Sequence, residues 1–148
     1  MSKLNEAKEE IKRADHLLFV TLKYTRTTDV IKNAIARLIN SYDNAVIHAL
    51  EVLKEKKKIK EIPLTPISRA ELLRDNNKRD IMILDFLNNY FLLRKIYRAE
   101  YTKKEEFRKN VALTVMHNDD VIEINIETLE EIYNKTKEFV EYISEKYK

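Results

Sequence analysis

The sequence predicts a mainly α-helical protein: an antiparallel bundle of four long helices, with a short connector helix and a small β-hairpin before the last helix. Three observations carry this expectation. Four long segments place apolar residues at spacings of three and four, the signature of a helix with one buried face. Residues 111–126 switch to strict alternation, the signature of strands. None of the 148 residues is glycine, cysteine or tryptophan, so the chain must turn on Asn, Asp and Pro. A chain of this length makes one domain, residues 1–148, able to bury a core without staples.

The first helix is expected from about Ser2, its cap, to Tyr24. Leu4, Ala7, Ile11, Ala14 and Leu18 form its stripe, with Lys3, Glu6, Glu9, Glu10 and Lys12 off it. Thr25 to Asp29 breaks the pattern, because hydroxyl residues followed by Asp suit caps better than helix interiors. A second helix should start at Thr28 or Asp29 and reach about Lys57. Ile31, Ile35, Leu38, Tyr42, Ala45, Ala49 and Val52 keep a four-three alternation, and Ile39, Val46, Leu50 and Leu53 add a second stripe. Such a helix is covered on more than one side, either as the centre of a bundle or with a dimer seam.

Pro63 and Pro66 make residues 58–67 an extended connector. Ser68 and Glu71 match a capping box for a short helix to Arg74, ended by Asp75, Asn76 and Asn77 with Asn in the left-handed role that Gly usually fills. A third long helix is expected from Lys78 to Ala99, with Ile83, Phe86, Tyr90, Leu93 and Tyr97 on one stripe. Val111, Leu113 and Val115, then Ile122, Ile124 and Ile126, alternate around the polar turn His117 to Asp120. The run reads as a hairpin, with a helix start as the competing reading. The last helix spans about Glu127 to Tyr147, with Leu129, Ile132, Thr136, Phe139, Val140 and Ile143 inward.

Composition excludes several kinds of chemistry. Without glycine there is no P-loop or dinucleotide fingerprint, so no nucleotide cofactor is expected. Without cysteine there is no disulfide, thiolate zinc site or thiol nucleophile. No cofactor or metal is expected. His16, His48 and His117 have no second ligand at helical spacing. The adjacent carboxylate pairs, such as Glu105 with Glu106, point about 100° apart on a helix and do not converge. No apolar run reaches the ~20 residues of a membrane span, and the N-terminus has no apolar signal core, which predicts a cytoplasmic protein with no membrane partner. Abundant Lys, Glu and Ile with no Cys resembles a thermophile's composition.

The 28 basic and 25 acidic residues give a net charge of only +3, so a nucleic-acid partner must be argued from clustering. One cluster stands out. Between Leu92 and Asn110, Arg94, Lys95, Arg98, Lys103, Lys104, Arg108 and Lys109 interleave with Tyr97, Tyr101 and Phe107. Cations hold phosphates and rings stack on unpaired bases, the composition that single-stranded RNA binding uses. Arg94, Arg98 and Tyr101 share one face if the helix continues that far. The plainer reading is a solvated helix end whose cations complement the C-terminal dipole. Lys23, Tyr24 and Arg26 form a smaller group at the first helix break.

These segments, ADHLL in the first helix, SYDNAVIHALEVL in the second, LLRKIYRAEY in the third and ETLEEIYNKTKEFVEYI in the last, together resemble the HEPN superfamily. Its members are small all-α proteins frequent in archaea and bacteria, in toxin–antitoxin and other RNA-targeting systems. The resemblance implies a helical bundle, homodimerisation and RNA as the partner class. The family's catalytic mark is an Arg followed after four to six residues by His, forming a metal-independent ribonuclease site across a dimer. This chain departs from it: Arg13 and His16 are too close, and Arg108 and His117 have eight residues between them. Arg108 and His117 are the only catalytic candidates, and a non-catalytic RNA-associated or partner-binding protein is the expectation.

Overall fold

The computed structural model describes residues 1–148. Helix α1 (Lys3–His16) passes through a π-helical turn (Leu17–Thr21) into the single turn α2 (Leu22–Tyr24), and α3 (Thr28–Glu55) follows the expected break. Then come α4 (Pro66–Asp75), α5 (Ile81–Arg98), strands β1 (Tyr101–Lys104), β2 (Ala112–His117) and β3 (Asp120–Asn125), and α6 (Ile126–Lys146). The fold is mainly α-helical with a small three-stranded antiparallel sheet of order β1-β2-β3. No helix is long and apolar enough to cross a membrane.

Side-chain contacts fix the helix directions. Ser41 Oγ donates to the Ala7 carbonyl while Arg37 reaches Glu10, so α1 and α3 run in opposite directions. Asp43 meets Tyr90 whereas Lys32 meets Tyr97, which opposes α3 and α5 in the same way. Asp80 meets Lys146 and Asp85 meets Lys135, which opposes α5 and α6. Tyr42 stacks on Phe139 at the centre, with ring centroids 4.9 Å apart.

Helix α3 touches α1, α4, α5 and α6, and both of its apolar stripes are consumed inside one chain. Ile39, Val46, Leu50 and Leu53 are all buried, so the second stripe belongs to the chain's own core. On α6, Tyr133 rather than Ile132 is the buried residue of its turn. The hydroxyl of Tyr133 donates to Asp15 at 2.7 Å, satisfying its polar end. Glu10 departs from the expected polar face of α1. It is 7% exposed and takes both Arg13 and Arg37.

Several local expectations shift for identifiable reasons. Ser2 caps α1 as expected, accepting from the Asn5 amide. The cap of α4 is Thr65, not Ser68, since Thr65 Oγ1 accepts from the Ser68 amide at 3.3 Å. Pro66 occupies the first helical turn, where its missing N–H costs nothing and its fixed φ is already helical. A proline therefore ends the chain segment before it and starts a helix after it. Asn76 has φ −85° and neither it nor Asn77 is left-handed. Their side-chain amides instead donate to the carbonyls of Leu72 and Leu73, capping the helix through side chains.

The left-handed positions fall elsewhere, at Lys57, Glu105, Phe107, Asn118 and Asp119. At the end of α3 the Lys57 amide donates to Lys54 and the Lys58 amide to Leu53, a Schellman closure with Lys where glycine is usual. Asn118 and Asp119, with φ of 50° and 67°, form the two-residue turn between β2 and β3. Positive φ at both central residues is the turn that matches strand twist. The alternating run is thus strand and not a helix start, and the hairpin gains a third strand. Tyr101 pairs with Val115 and Lys104 with Ala112, so Tyr101 does not extend the face of α5. Strand β1 carries no apolar alternation, because it is a lysine-bearing edge held by its backbone ladder.

Candidate nucleic-acid interface

The basic run of residues 94–109 is divided by the end of α5. Lys95 and Arg98 are exposed on the last turns of the helix, whereas Lys103 and Lys104 lie on β1, and Arg108 and Lys109 on the loop before β2. Lys103 pairs with Asp29 at 3.7 Å and with Glu106 at 3.9 Å, and Lys104 pairs with Glu123 at 3.2 Å. Tyr101 donates to Asp29, and the Lys32 ammonium lies 4.5 Å from its ring centre. These groups are largely occupied within the chain.

The loop that carries Arg108 is anchored at the first helix break. The Phe107 amide donates to the Arg26 carbonyl at 2.6 Å, Glu106 accepts from the Thr28 amide, and Thr28 Oγ1 donates to the Ala112 carbonyl. Arg26 and Arg108 therefore sit in one neighbourhood. His117 is at the far end of β2, opposite Asp120. With about 3.3 Å per strand residue, β2 separates the two catalytic candidates within one chain.

His117 instead joins the helix cations. Its side chain shares the inner face of β2 with Leu113 and Val115, and this brings it over α5. A groove of about 570 Å³ is lined there by Arg74, Arg94, Lys95, Arg98 and His117, with Glu71 as its one carboxylate. Arg74 comes from α4, held 5.6 Å from the Phe91 ring centre and paired with Glu71 at 3.7 Å. Lys95 and Arg98 make no ion pair. Their charges are not compensated locally and are free to meet an anion.

Arg94 plays a different part from its neighbours. One guanidinium nitrogen lies 3.3 Å from Asp43 Oδ2 and 3.3 Å from the Tyr90 hydroxyl, and Tyr90 in turn donates to Asp43 Oδ1. Burial pushes the Asp43 carboxyl up, while the Tyr90 hydroxyl and the charge of Arg94 oppose that rise. Burial also raises the Tyr90 phenol, reinforced by the Asp43 charge, so it stays protonated. Arg94 Nε is buried without a partner. The cluster locks Arg94 at the crest of α5 and orients its outer edge toward the groove.

Two residues were not foreseen from sequence: Arg74, which lines the groove, and Asp43, which holds Arg94 from behind it. Arg74 is brought in by the packing of α4 on α5, which no local pattern reports. Asp43 had a signal, since a carboxylate next to the inward stripe at Tyr42 needs a partner when buried. Of the remaining histidines, His48 Nε2 lies 2.8 Å from the Tyr147 carbonyl and His16 is exposed. No group of three or more His, Asp or Glu is placed to hold a metal ion. The chain matches no protein-family model, no curated protein and no solved structure.

Proposed function

We propose that this protein binds single-stranded RNA, without cleaving it, through the groove between α4 and α5. The observation that carries the reading is the convergence of Arg74, Arg94, Lys95, Arg98 and His117 on one groove with a single carboxylate. Phosphates are the natural counter-charge for such a set, and arginine forks fit them bidentately. Phe91 lines the same groove and offers an aromatic edge to a base. The resemblance to HEPN proteins points to the same partner class. Cleavage is left out, because within one chain Arg108, on the loop before β2, and His117, at the far end of that strand, stand apart.

Filter binding of a short single-stranded RNA at two salt concentrations tests the reading. Binding should weaken steeply with salt, and Lys95→Ala with Arg98→Ala should weaken it at low salt. Equal binding by the double variant removes the groove from consideration. Absence of RNA binding in the wild-type protein favours a protein partner for the same surface.

A further inference from the structure

Arg94 and Arg98 also line a second groove, of about 330 Å³, on the other side of the α5 crest toward α3. At the small end of the usual range for ligand sites, about 300–1,000 Å³, it suits one compact group and not a length of chain. Ala36, Ile39 and Pro66 give it an apolar wall. Three further lining residues bring recognition chemistry. Tyr97 is 37% exposed, with the Lys32 ammonium 5.0 Å from its ring centre. Asn40 is exposed, and its side-chain amide makes no hydrogen bond within the protein. Asp43 keeps 21% of its side chain exposed.

A carboxylate only accepts hydrogen bonds, and each oxygen has about two lone-pair sites. Tyr90 takes one on Oδ1 and Arg94 one on Oδ2, which leaves one on each oxygen for a ligand that donates. Guanine presents two adjacent N–H donors on its pairing edge. Uracil presents one donor between two carbonyl oxygens, which a carboxylate repels. An aromatic face beside such a carboxylate, with arginines on the shared crest, therefore matches a base attached to a phosphate.

We propose that this second groove is a nucleobase subsite that selects guanine over uracil, with the adjoining phosphate held across the crest by Arg98. The proposal rests on the RNA-binding reading above and names the base-selective part of the same site. The test compares a short oligouridylate with the same strand carrying one central guanosine. The wild-type protein should bind the guanosine strand about tenfold more tightly, the scale of a bidentate base contact. Asn40→Ala should reduce that preference while leaving the affinity for oligouridylate in place, and Asp43→Asn should reduce the preference as well. Tyr97→Leu should weaken both strands. Because Asn40 is exposed, its variant carries the test even if the Asp43 variant misfolds. Equal wild-type affinity for the two strands overturns the base subsite and leaves RNA binding standing. Failure of both strands to bind, or indifference to Lys95→Ala with Arg98→Ala, overturns the RNA-binding reading itself.

Discussion

Arg94 lies 3.3 Å from Asp43, and this pair joins α5 to α3 directly beneath the ridge that separates the two grooves. The arginine is both a structural cation and a groove wall. Neighbouring Lys95 and Arg98 have no such internal duty. A difference in stability should therefore separate residues that sequence alone treats as one basic run.

Arg94→Ala should cost about 2–3 kcal/mol at neutral pH, somewhat below the figure for a fully buried pair, because the Asp43 charge loses its counter-ion. Without Arg94 the raised pKa of Asp43 rises further, so the folded variant holds a proton that the unfolded chain releases. Its stability then falls as pH increases through the carboxylate range. Urea unfolding should show a deficit that is largest at neutral pH and smaller in acid. Lys95→Ala, measured alongside, should change stability by less than about 0.5 kcal/mol.

Lys103→Ala with Lys104→Ala should leave RNA affinity nearly unchanged, since both ammonium groups already pair with carboxylates. Lys95→Ala with Arg98→Ala should flatten the salt dependence by about 1.4 in the slope of log K against log salt, two phosphates at ~0.7 each. Titrations of both variants over a salt series distinguish a groove from a diffuse basic surface.

Asp80 caps α5, accepting from the Ile83 amide at 3.1 Å, the Tyr142 hydroxyl at 2.7 Å and the Lys146 ammonium at 2.5 Å. Burial alone would raise this carboxyl, but the Lys146, Tyr142 and Ile83 donors outweigh it and hold it below the usual range. A depressed carboxyl contributes stability that is present above its unfolded pKa, about 3.9, and lost as pH falls through the folded value. Asp80→Asn keeps an oxygen to cap the Ile83 amide but replaces the oxygen that takes Tyr142 and Lys146 with an uncharged donor. It should cost about 1 kcal/mol at neutral pH and lose less than wild type on acidification, as read by denaturant midpoints.

Lys57→Gly should stabilise the protein by about 0.5–1 kcal/mol, because it relieves a left-handed side chain at the Schellman closure of α3. Asn76→Gly should do the reverse. Asn76 has negative φ and its amide caps the Leu72 carbonyl, so glycine there loosens the chain and removes a hydrogen bond. Thermal melts of the two variants should move in opposite directions.

The helices were legible because each carries its own periodicity. Ile31, Ile35, Leu38 and Tyr42 state the face of α3 without reference to any other residue, and Asn118 with Asp119 states the turn between β2 and β3 through backbone preference alone. Strand β1 was hidden, because Tyr101 to Lys104 owes its extended form to the ladder with β2 and not to its own pattern. The cap of α4 was misplaced by three residues, since Ser68 and Thr65 both satisfy the local rule and only the position of Pro66 in the helix decides between them.

By itself the sequence determined a mainly helical chain, the strands around the turn at Asn118 and Asp119, and the stretch in which cations and aromatic rings concentrate. Each of these is set by spacing along the chain, where neighbours at three, four or two residues meet regardless of the rest. Only the tertiary structure decided which cations remain free. Lys103 and Lys104 are neutralised by Asp29, Glu106 and Glu123, Arg94 by Asp43 and Arg74 by Glu71, which leaves Lys95 and Arg98 unpaired in the groove that Arg74 and His117 reach from α4 and β2. Charge compensation acts through space over a few ångströms, and the partners that decide it are up to tens of residues apart in sequence.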